Sequence, residues 1–252
     1  MTRLELAKQL AREAGEIVLG YAKKGFTTGT KDGGSLVTEA DLAAEKHILG
    51  KIKQHFPDDG IVAEESGERK GESGVSWHVD PLDGTTNFAH GIPLYGVSIG
   101  IVEGNRPVAG AIFLPSLDEL YDAQRGTGTR LNGSSIVVSQ LGEAASGIIM
   151  LAGPRFVDSV KDDELPLQKI IARIRRIRVL GSIAVNLCFV ARGAADGGIC
   201  VRQNSWDAAA GVVLVEEAGG VAVEFSGRPY TIESSNLLVG SRDVASFLKT
   251  LV

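Results

Sequence analysis

The spacing of apolar residues changes along the chain, and this change limits the folds that the sequence can form. In two stretches of the first 56 residues, on either side of a glycine-rich segment, apolar side chains recur every three to four positions, as they do on one face of an α-helix. Short apolar runs typical of β-strands follow, and the second half then alternates such runs with helical segments. The pattern predicts sheets layered with helices, in the mixed α/β and α+β range.

Two helices are predicted at the start of the chain. Thr2 and Glu5 have the spacing of a capping box, which predicts that the first helix begins there. The second helix is predicted over about 41–56, with these side chains turned inward: Leu42, Ile48, Leu49, Ile52 and Phe56. The glycine-rich segment 25–34 between the two helices predicts a mobile loop.

The remaining elements are shorter. Strands are predicted at 61–63, 77–79, 97–102, 108–114, 136–138, 148–151, 176–180, 198–201, 221–225 and 237–239. Helices are predicted at 165–174, 184–191, 207–218 and 243–251. Asn132-Gly133 predicts a hairpin turn. With no repeat or clear linker, 1–252 is predicted to be one domain, with halves of about 1–145 and 146–252 and a polar surface loop at 158–164.

Composition narrows the possible functions. The chain has 252 residues, of which 44% are hydrophobic and 23% charged, which is ordinary for a globular protein. Its formal charge of −5 argues against binding to nucleic acid or to a membrane surface, because either would need a basic face. An anionic ligand would therefore have to be held locally, by a metal ion or by backbone amides.

The cysteines and the apolar runs indicate a cytoplasmic protein. Cys188 and Cys200 lie in apolar surroundings and match no zinc pattern, so they are predicted to be buried, inert thiols in a reducing compartment. No apolar run approaches the length of about 18 residues that a membrane-spanning helix needs. The charged N-terminal residues do not resemble a signal peptide.

Acidic residues stand at four places where the backbone is predicted to turn: Glu64 with Glu65, Asp80 with Asp83, Asp207, and the segment from Lys31 to Asp41. Pro81 and Gly84 would let Asp80 and Asp83 converge on one point. Grouped carboxylates of this kind favour Mg²⁺, with Mn²⁺ as a substitute. The cluster implies the metal, since like charges packed together need a cation between them.

A helical turn that begins at Gly84 and Thr85 would add free N–H groups for phosphate oxygens. A water acidified by the metal and oriented by Glu65 or the Thr85 hydroxyl could then attack phosphorus in line. Simpler roles stay open, because an Asp-Gly pair often only forms a turn, and Asp41 and Asp207 could only cap their helices. The coincidence of several such sites favours a magnesium-dependent phosphatase.

The sequence also resembles the inositol monophosphatase family, within the larger group that includes fructose-1,6-bisphosphatases. Segment 77–88, WHVDPLDGTTNF, looks like the first signature of that family. Segments 206–211 and 217–220 look like the second signature. Glu64-Glu65-Ser66 is similar to the acidic pair of the family, although Ala63 stands where a glycine is usual. The resemblance runs from about residue 31 to residue 220.

The resemblance implies a layered α/β/α/β/α sandwich of the sugar-phosphatase type, a homodimer, and a small phosphorylated metabolite as substrate. It implies metal ligands at Glu65, Asp80, Asp83, Asp207 and the Leu82 carbonyl. Water activation would fall to Thr85, with Asp41 behind it and Glu65 beside the metal. The substrate would be bound by Asp83, Gly84, Thr85, Gly181, Ser182, Ile183 and Asp207.

One departure leaves the substrate open. Inositol-specific members often carry a glutamate seven residues before the second-signature aspartate, and Cys200 stands at that position here. Arg202, Gln203 and Arg178 offer charge or amide donors nearby, and arginine suits a second phosphate or a carboxylate. Arg202 is therefore a further candidate for substrate binding.

Several substrates and one non-enzymatic function stay open. The leading hypothesis is hydrolysis of inositol 1-phosphate or a related small sugar phosphate. Fructose 1,6-bisphosphate, histidinol phosphate and a 3′,5′-bisphosphate nucleotide are alternatives within the same chemistry. A module that binds a phosphorylated ligand or acts as a regulatory subunit is a different class. That hypothesis predicts that metal-binding residues are replaced, whereas the acidic residues of the motifs are all present in this sequence.

Overall fold

The protein is represented by a computed structural model that describes residues 1–31, 34–141, 144–153, 161 and 165–252. Its α-helices are α1 (Arg3–Lys24), α2 (Glu39–His55), α3 (Thr85–Ala89), α4 (Leu167–Arg173), α5 (Ile183–Ala191), α6 (Ser205–Glu217) and α7 (Arg242–Lys249). Its strands are β1 (Thr28–Thr30), β2 (Leu36–Thr38), β3 (Gly60–Ala63), β4 (Gly67–Arg69), β5 (Val75–Asp83), β6 (Gly96–Glu103), β7 (Arg106–Leu114), β8 (Glu119–Gln124), β9 (Thr129–Leu131), β10 (Ser134–Ile136), β11 (Ile148–Ala152), β12 (Arg176–Val179), β13 (Gly197–Val201), β14 (Val221–Val223) and β15 (Asn236–Gly240).

The strands form two large sheets and one small ribbon. The first sheet has eight strands in the order β10-β9-β8-β7-β6-β5-β3-β4, and only the β3–β5 pair in it is parallel. The second has five strands in the order β12-β11-β13-β15-β14, in which β12, β11 and β13 are parallel. Strands β1 and β2 form the ribbon. The first sheet belongs to the N-terminal half of the chain and the second to the C-terminal half.

Three clusters of buried apolar side chains separate the layers. One cluster joins α1 and α2 to one face of the first sheet. A second fills the space between the two sheets, where α5 and α6 lie. The third covers the far face of the second sheet with α4 and α7. Successive residues of β7 divide between the first two clusters, with Ala111 and Phe113 on one side and Ile112 and Leu114 on the other. The result is the predicted α/β/α/β/α sandwich.

Helix α6 lies close against the first sheet because glycines face it. A Cβ atom on Gly100 would lie 2.7 Å from the Ala209 Cβ, and one on Gly110 would lie 2.6 Å from the Ala210 Cα. Any larger residue at these two positions would push the helix away. The sequence of β6 and β7 thus fixes the distance between the sheet and the helix that carries Asp207.

Most sequence-based predictions of elements are confirmed. Thr2 and Glu5 form the predicted capping box at α1. Asn132 and Gly133 turn the β9–β10 hairpin, with φ of 49° and 84°. Cys188 and Cys200 are both free and buried. In the described part of the chain, no helix is both long and apolar enough to cross a bilayer.

Three predictions need correction. The strand predicted at 136–138 is instead β10 at Ser134–Ile136, because pairing with β9 begins directly after the turn at Asn132 and Gly133. Leu42 is not inward but 54% exposed, because the inward stripe of α2 is occupied by Asp41, Ala44, Glu45, Ile48, Leu49 and Ile52. The segment 25–34 is not wholly a loop, since Thr28–Thr30 pairs as β1 with β2. The part of that prediction concerning Asp32 and Gly33 lies outside the described residues, as does most of the segment 158–164.

Candidate active site

Three aspartates from two elements lie within electrostatic reach of one another, with Asp80 and Asp207 buried and Asp83 half-buried. Asp80 and Asp83 are on the last part of β5, where the pairing with β6 shifts register, and Asp207 is in the first turn of α6. Burial raises the pKa of Asp80 and Asp207 well above the ordinary value, and the charges of the neighbouring carboxylates raise both further. The charges of these carboxylates thus act on one another within the fold.

Each of these aspartates accepts a hydrogen bond from the protein. The Leu82 backbone N–H donates to Asp80 Oδ1 over 2.9 Å, and the Asn204 N–H donates to Asp207 Oδ2 over 2.7 Å. The second contact completes a capping box, so Asp207 is both a helix cap and a member of the acidic group. The hydrogen bonds from Asn204 act to lower the pKa of Asp207. Burial and the charge of Asp83 outweigh them, so the pKa stays raised.

The Asp83 side chain contacts the residues at the start of α5. Its Oδ2 accepts hydrogen bonds from the Ser182 hydroxyl, over 2.7 Å, and from the Ala184 backbone N–H. Burial raises the pKa of Asp83 to about 6, even though these hydrogen bonds oppose the shift. Of the segment Gly181, Ser182 and Ile183 predicted for substrate binding, Ser182 therefore contacts a predicted metal ligand directly.

The two glutamates that follow β3, Glu64 and Glu65, differ in their contacts. The Glu64 N–H donates to the Val79 carbonyl over 3.1 Å, which extends the parallel β3–β5 pairing and puts Glu64 beside Asp80. The charge of Glu64 raises the pKa of Asp80, Asp83 and Asp207. Glu65 is the ligand predicted from the sequence, so Glu64 is a further functional candidate that this prediction did not include.

Glu65 is held by two groups that the sequence did not suggest. Lys31 Nζ lies 2.5 Å from Glu65 Oε1 and 2.8 Å from Glu64 Oε1, so it bridges the pair. The buried Glu45 carboxylate accepts the Glu65 backbone N–H over 2.9 Å. Burial raises the pKa of Glu65 to about 7, and the Lys31 ammonium opposes this shift. No local sequence signal joins residues 31, 45 and 65, because the fold alone makes them neighbours.

Asp41 and Thr85 are in contact as predicted. The Thr85 hydroxyl lies 3.0 Å from both Asp41 Oδ1 and the Leu82 carbonyl oxygen. Asp41 is fully buried and also accepts the Thr38 N–H and hydroxyl in the capping box of α2. Burial raises the pKa of Asp41, and the hydrogen bonds from Thr38 and Thr85 limit the shift. Asp41 thus serves the helix cap and the site together.

The turn after Asp83 depends on Gly84. Its φ of 95° and ψ of 33° are left-handed, and α3 begins at the next residue. A Cβ atom on Gly84 would lie 3.0 Å from the Leu94 carbonyl oxygen and 3.2 Å from the Ser182 Cβ. The Asn87 amide, in α3, donates to the Leu94 and Leu180 carbonyls, both over 2.7 Å. Asn87 therefore ties this turn to the segment that leads into Ser182, a role the sequence analysis did not assign.

The residues near the position of the missing glutamate differ in exposure. Cys200 is buried at the end of β13, and burial raises its pKa to about 12, with the charges of Asp83 and Asp207 adding to the shift. Arg202 is half-buried and has a left-handed φ of 54° in the connection from β13 to α6. Gln203 is buried and donates to the Ser234 carbonyl over 3.1 Å. Arg178, on the edge strand β12, is exposed.

The acidic side chains are not a preformed chelate. Across the described ranges of the chain, no three His, Cys, Asp or Glu side chains are grouped so that they could hold a metal ion as they stand. Each of the four carboxylates of Glu65, Asp80, Asp83 and Asp207 instead interacts with a donor of the protein. Each of these contacts uses one carboxylate oxygen, so a cation at this site would not have to displace those donors.

Comparison with known proteins decides the family. A model of the inositol monophosphatase family matches residues 2–251, which is nearly the whole chain. The protein belongs to the inositol monophosphatase family. As a member of this family of phosphatases, it is a phosphoric monoester hydrolase.

Relatives within the inositol monophosphatase family carry different names. The chain is 36% identical over 245 residues to the fructose-1,6-bisphosphatase/inositol-1-monophosphatase of Thermotoga maritima, covering 94% of this chain and 91% of the relative. It is 37% identical over 238 residues to the histidinol-phosphatase of Chlorobaculum parvum, covering 93% and 90%. The crystal structure of the extragenic suppressor protein suhB of Bartonella henselae is 32% identical, with a TM-score of 0.92 and coverage of 98% and 96%.

Proposed function

We propose that this phosphatase uses Mg²⁺, or Mn²⁺ in its place, to hydrolyse the phosphate ester of inositol 1-phosphate or a related small sugar phosphate. The observation that supports the metal is the mutual repulsion of Asp80, Asp83 and Asp207, which all have raised pKa values in a buried site. Burying several like charges is costly unless a cation offsets them. Their oxygens are of the hard type that Mg²⁺ prefers.

The proposed ligands are Asp80, Asp83, Asp207, the Leu82 carbonyl and the acidic pair, of which Glu65 was predicted and Glu64 lies beside Asp80. When bound, Mg²⁺ would polarise the phosphate oxygens and acidify water. Lys31 at the acidic pair and Ser182 at Asp83 each contact one oxygen of these carboxylates, which would leave the other oxygen available to the ion.

Thr85 and Asp41 supply a route for the proton of the attacking water. The Thr85 oxygen can accept a hydrogen bond from that water, since its own hydrogen points to Asp41 Oδ1 or to the Leu82 carbonyl, each at 3.0 Å. Asp41 is a suitable final acceptor because burial already raises its pKa. The backbone N–H groups of Gly84 and Thr85 would then hold the phosphate oxygens at the start of α3.

The part of the substrate beyond the phosphate would lie against Gly181, Ser182, Ile183 and the connection that carries Arg202. Cys200 cannot bond to substrate hydroxyls as a carboxylate would, because it is buried and its thiol stays protonated. Arg202 would favour a second anionic group, such as the other phosphate of fructose 1,6-bisphosphate. Histidinol phosphate and 3′,5′-bisphosphate nucleotides are the remaining candidates, and the first is supported by the name of a relative.

A phosphate-release assay tests the proposal. The purified protein is given inositol 1-phosphate, fructose 1,6-bisphosphate, histidinol phosphate and a 3′,5′-bisphosphate nucleotide, with Mg²⁺, with Mn²⁺ and with a chelator. We expect release that depends on the metal and is largest for a polyol phosphate. Release from histidinol phosphate alone would contradict the proposed substrate but not the proposed mechanism. Equal release in the presence of chelator would contradict the proposed dependence on a metal ion.

Asp83→Asn and Asp207→Asn test the ligand assignment. Each variant removes one negative charge at nearly constant volume, so we expect turnover to fall by more than about 100-fold, since even residues that only support metal ligands contribute about 10- to 100-fold. Thermal unfolding and circular dichroism should remain those of a folded protein. Turnover close to that of the wild type would contradict the assignment.

We also propose a homodimer, on the basis of the family resemblance. Light scattering coupled to gel filtration measures the mass directly, and the chain mass of 26.5 kDa sets the unit. A mass of one chain at micromolar concentration would contradict this proposal without affecting the proposed chemistry.

A further inference from the structure

A buried histidine connects the two segments that carry the aspartates. His78 lies on β5, two residues before Asp80, and is 1% exposed. One ring nitrogen, Nδ1, lies 2.7 Å from the hydroxyl of Ser205, the first residue of α6. The other, Nε2, lies 3.0 Å from the Ser76 hydroxyl. Both polar atoms of the ring are therefore satisfied, one on its own strand and one 127 residues away.

His78 shares a face of the sheet with Asp80 and with the surface on which α6 packs. Residues two apart on a strand point to the same face, so Ser76, His78 and Asp80 all face α6. Trp77 and Val79, on the opposite face, belong to the cluster formed with α1 and α2. Gly100 stands opposite His78 in the β5–β6 ladder, and its missing side chain is what lets Ala209 of α6 come close.

A second contact holds the same turn of α6. The Ser98 hydroxyl, directly opposite Asp80 in the ladder, lies 3.4 Å from the carbonyl oxygen of Trp206. This contact is long, whereas the His78–Ser205 contact is short and fully shielded from solvent on the His78 side. These two polar contacts join the first turn of α6 to β5 and to β6.

Each ring nitrogen of His78 faces a different serine hydroxyl, at 2.7 and 3.0 Å, and a neutral imidazole has one donor and one acceptor nitrogen. Such a ring can accept from one serine while it donates to the other. Loss of either hydroxyl would leave a buried ring nitrogen without a partner, which is costly.

We propose that His78 is a positioning residue, which fixes the first turn of α6 on β5 through Ser205 so that Asp207 stands beside Asp80 and Asp83. The inference rests on the proposed function, because it gives His78 a role in the affinity of that site for its divalent ion. A histidine that only fills space would affect stability and leave the affinity for the ion unchanged.

The test compares His78→Leu, Ser205→Ala and the double variant with the wild type. Mn²⁺ binding to the folded proteins is measured by calorimetry, alongside the Mg²⁺ half-saturation of phosphate release and the Tm. We expect each single variant to weaken Mn²⁺ binding by about 10-fold, the size typical of groups that support metal ligands. The double variant should be no weaker than the weaker single variant, because both remove the same contact.

Thr129→Val is the matched control. The Thr129 hydroxyl is buried and donates to the Leu214 carbonyl over 2.6 Å, so the variant removes a hydrogen bond to the far end of the same helix. We expect it to lower the Tm and to leave Mn²⁺ binding unchanged. Mn²⁺ binding that is unchanged in His78→Leu, or effects of the two variants that simply add, would overturn the inference.

Two further results keep this test separate from that of the proposed function. If His78→Leu does not fold, Ser205→Ala removes only one hydroxyl at a half-buried position and decides the question alone. If the wild type binds Mn²⁺ but releases no phosphate from any ester, the proposed reaction is wrong. The calorimetric comparison then still confirms or overturns the role of His78.

Discussion

Single residues in this site combine a structural and a chemical task. Asp41 and Asp207 each complete a capping box, and each also faces the acidic centre. Of the two explanations left open by the sequence for these aspartates, the helix cap is confirmed, and the functional role is compatible with the same position. A residue that caps a helix end has a fixed rotamer, and a fixed rotamer is what a precise site needs.

The acidic pair gives the sharpest prediction at this scale. Glu64→Gln removes the charge beside Asp80, whereas Glu65→Gln removes the charge bonded to Lys31. We expect the Mg²⁺ half-saturation constant to rise more in Glu64→Gln, because this carboxylate acts on all three aspartates. Steady-state assays over a range of Mg²⁺ concentrations measure the difference, and the opposite order would return the ligand role to Glu65.

The raised pKa of Asp83 predicts how stability varies with pH when no metal is bound. A carboxyl whose pKa rises on folding, here to about 6, stabilises the protein below its unfolded pKa of about 4 and loses that contribution as the pH rises through the folded value. In chelator, the Tm of the wild type should therefore fall relative to that of Asp83→Asn between pH about 4 and about 7. Added Mg²⁺ should reverse the order at the upper end. Parallel Tm curves for the two proteins would contradict this account.

At the scale of elements, Asp59 joins α1 to the first sheet. It is 1% exposed and accepts hydrogen bonds from Arg3, Ser73 and the Trp77 indole, at distances from 2.7 to 2.9 Å. Burial acts to raise the pKa of Asp59, but these hydrogen bonds and the Arg3 charge outweigh it, so the pKa lies below its ordinary value. The carboxylate thus connects the start of a helix to a strand and to a loop.

Asp59→Ala should lower the free energy of unfolding by about 1–3 kcal/mol from the unsatisfied Trp77 donor alone. Asp118→Asn is the control, because Asp118 pairs with Arg12 over 3.4 Å with its side chain 84% exposed, and because asparagine tolerates the left-handed φ of 51° at this position, so it should have little effect. Urea unfolding measures both. Equal losses in the two variants would show that burial of the Asp59 network contributes nothing.

At the scale of the whole molecule, the spacing between the first sheet and α6 controls the site. Gly110→Ala would place a methyl group 2.6 Å from the Ala210 Cα, so we expect a loss of about 1–3 kcal/mol of stability. Turnover should fall with it, because α6 carries Asp207.

The control for Gly110→Ala is Gly50→Ala. Gly50 lies within α2 with nothing near its Cβ position, and alanine there should raise stability by about 0.5–1 kcal/mol. Thermal unfolding and phosphate release compare the two. A Gly110→Ala protein with normal stability and turnover would show that α6 can shift without consequence.

The layered fold and the positions of Asp80, Asp83 and Asp207 could be predicted from periodicity, turn residues and a family resemblance. What could not be predicted is what depends on pairing between distant segments. Which glutamate of the acidic pair lies beside Asp80 depends on the register of β3 against β5. The Lys31 bridge depends on a segment that precedes Glu64 by 33 residues in the sequence. Leu42 was misplaced because helical periodicity does not show that polar Asp41 and Glu45 occupy the inward face.

The proposed function would divide the work of the enzyme between the two sheets. The groups proposed for hydrolysis stand mainly on the first sheet and its flanking helix α2, while Gly181, Ser182 and Arg202 belong to segments of the second. In the proposed function, substitution of Arg202 would alter which alcohol is accepted, whereas substitution of Ser182 would also affect cleavage, because Ser182 donates a hydrogen bond to Asp83. Such a division lets one scaffold diversify in evolution, in keeping with relatives named for a bisphosphatase and a histidinol phosphatase.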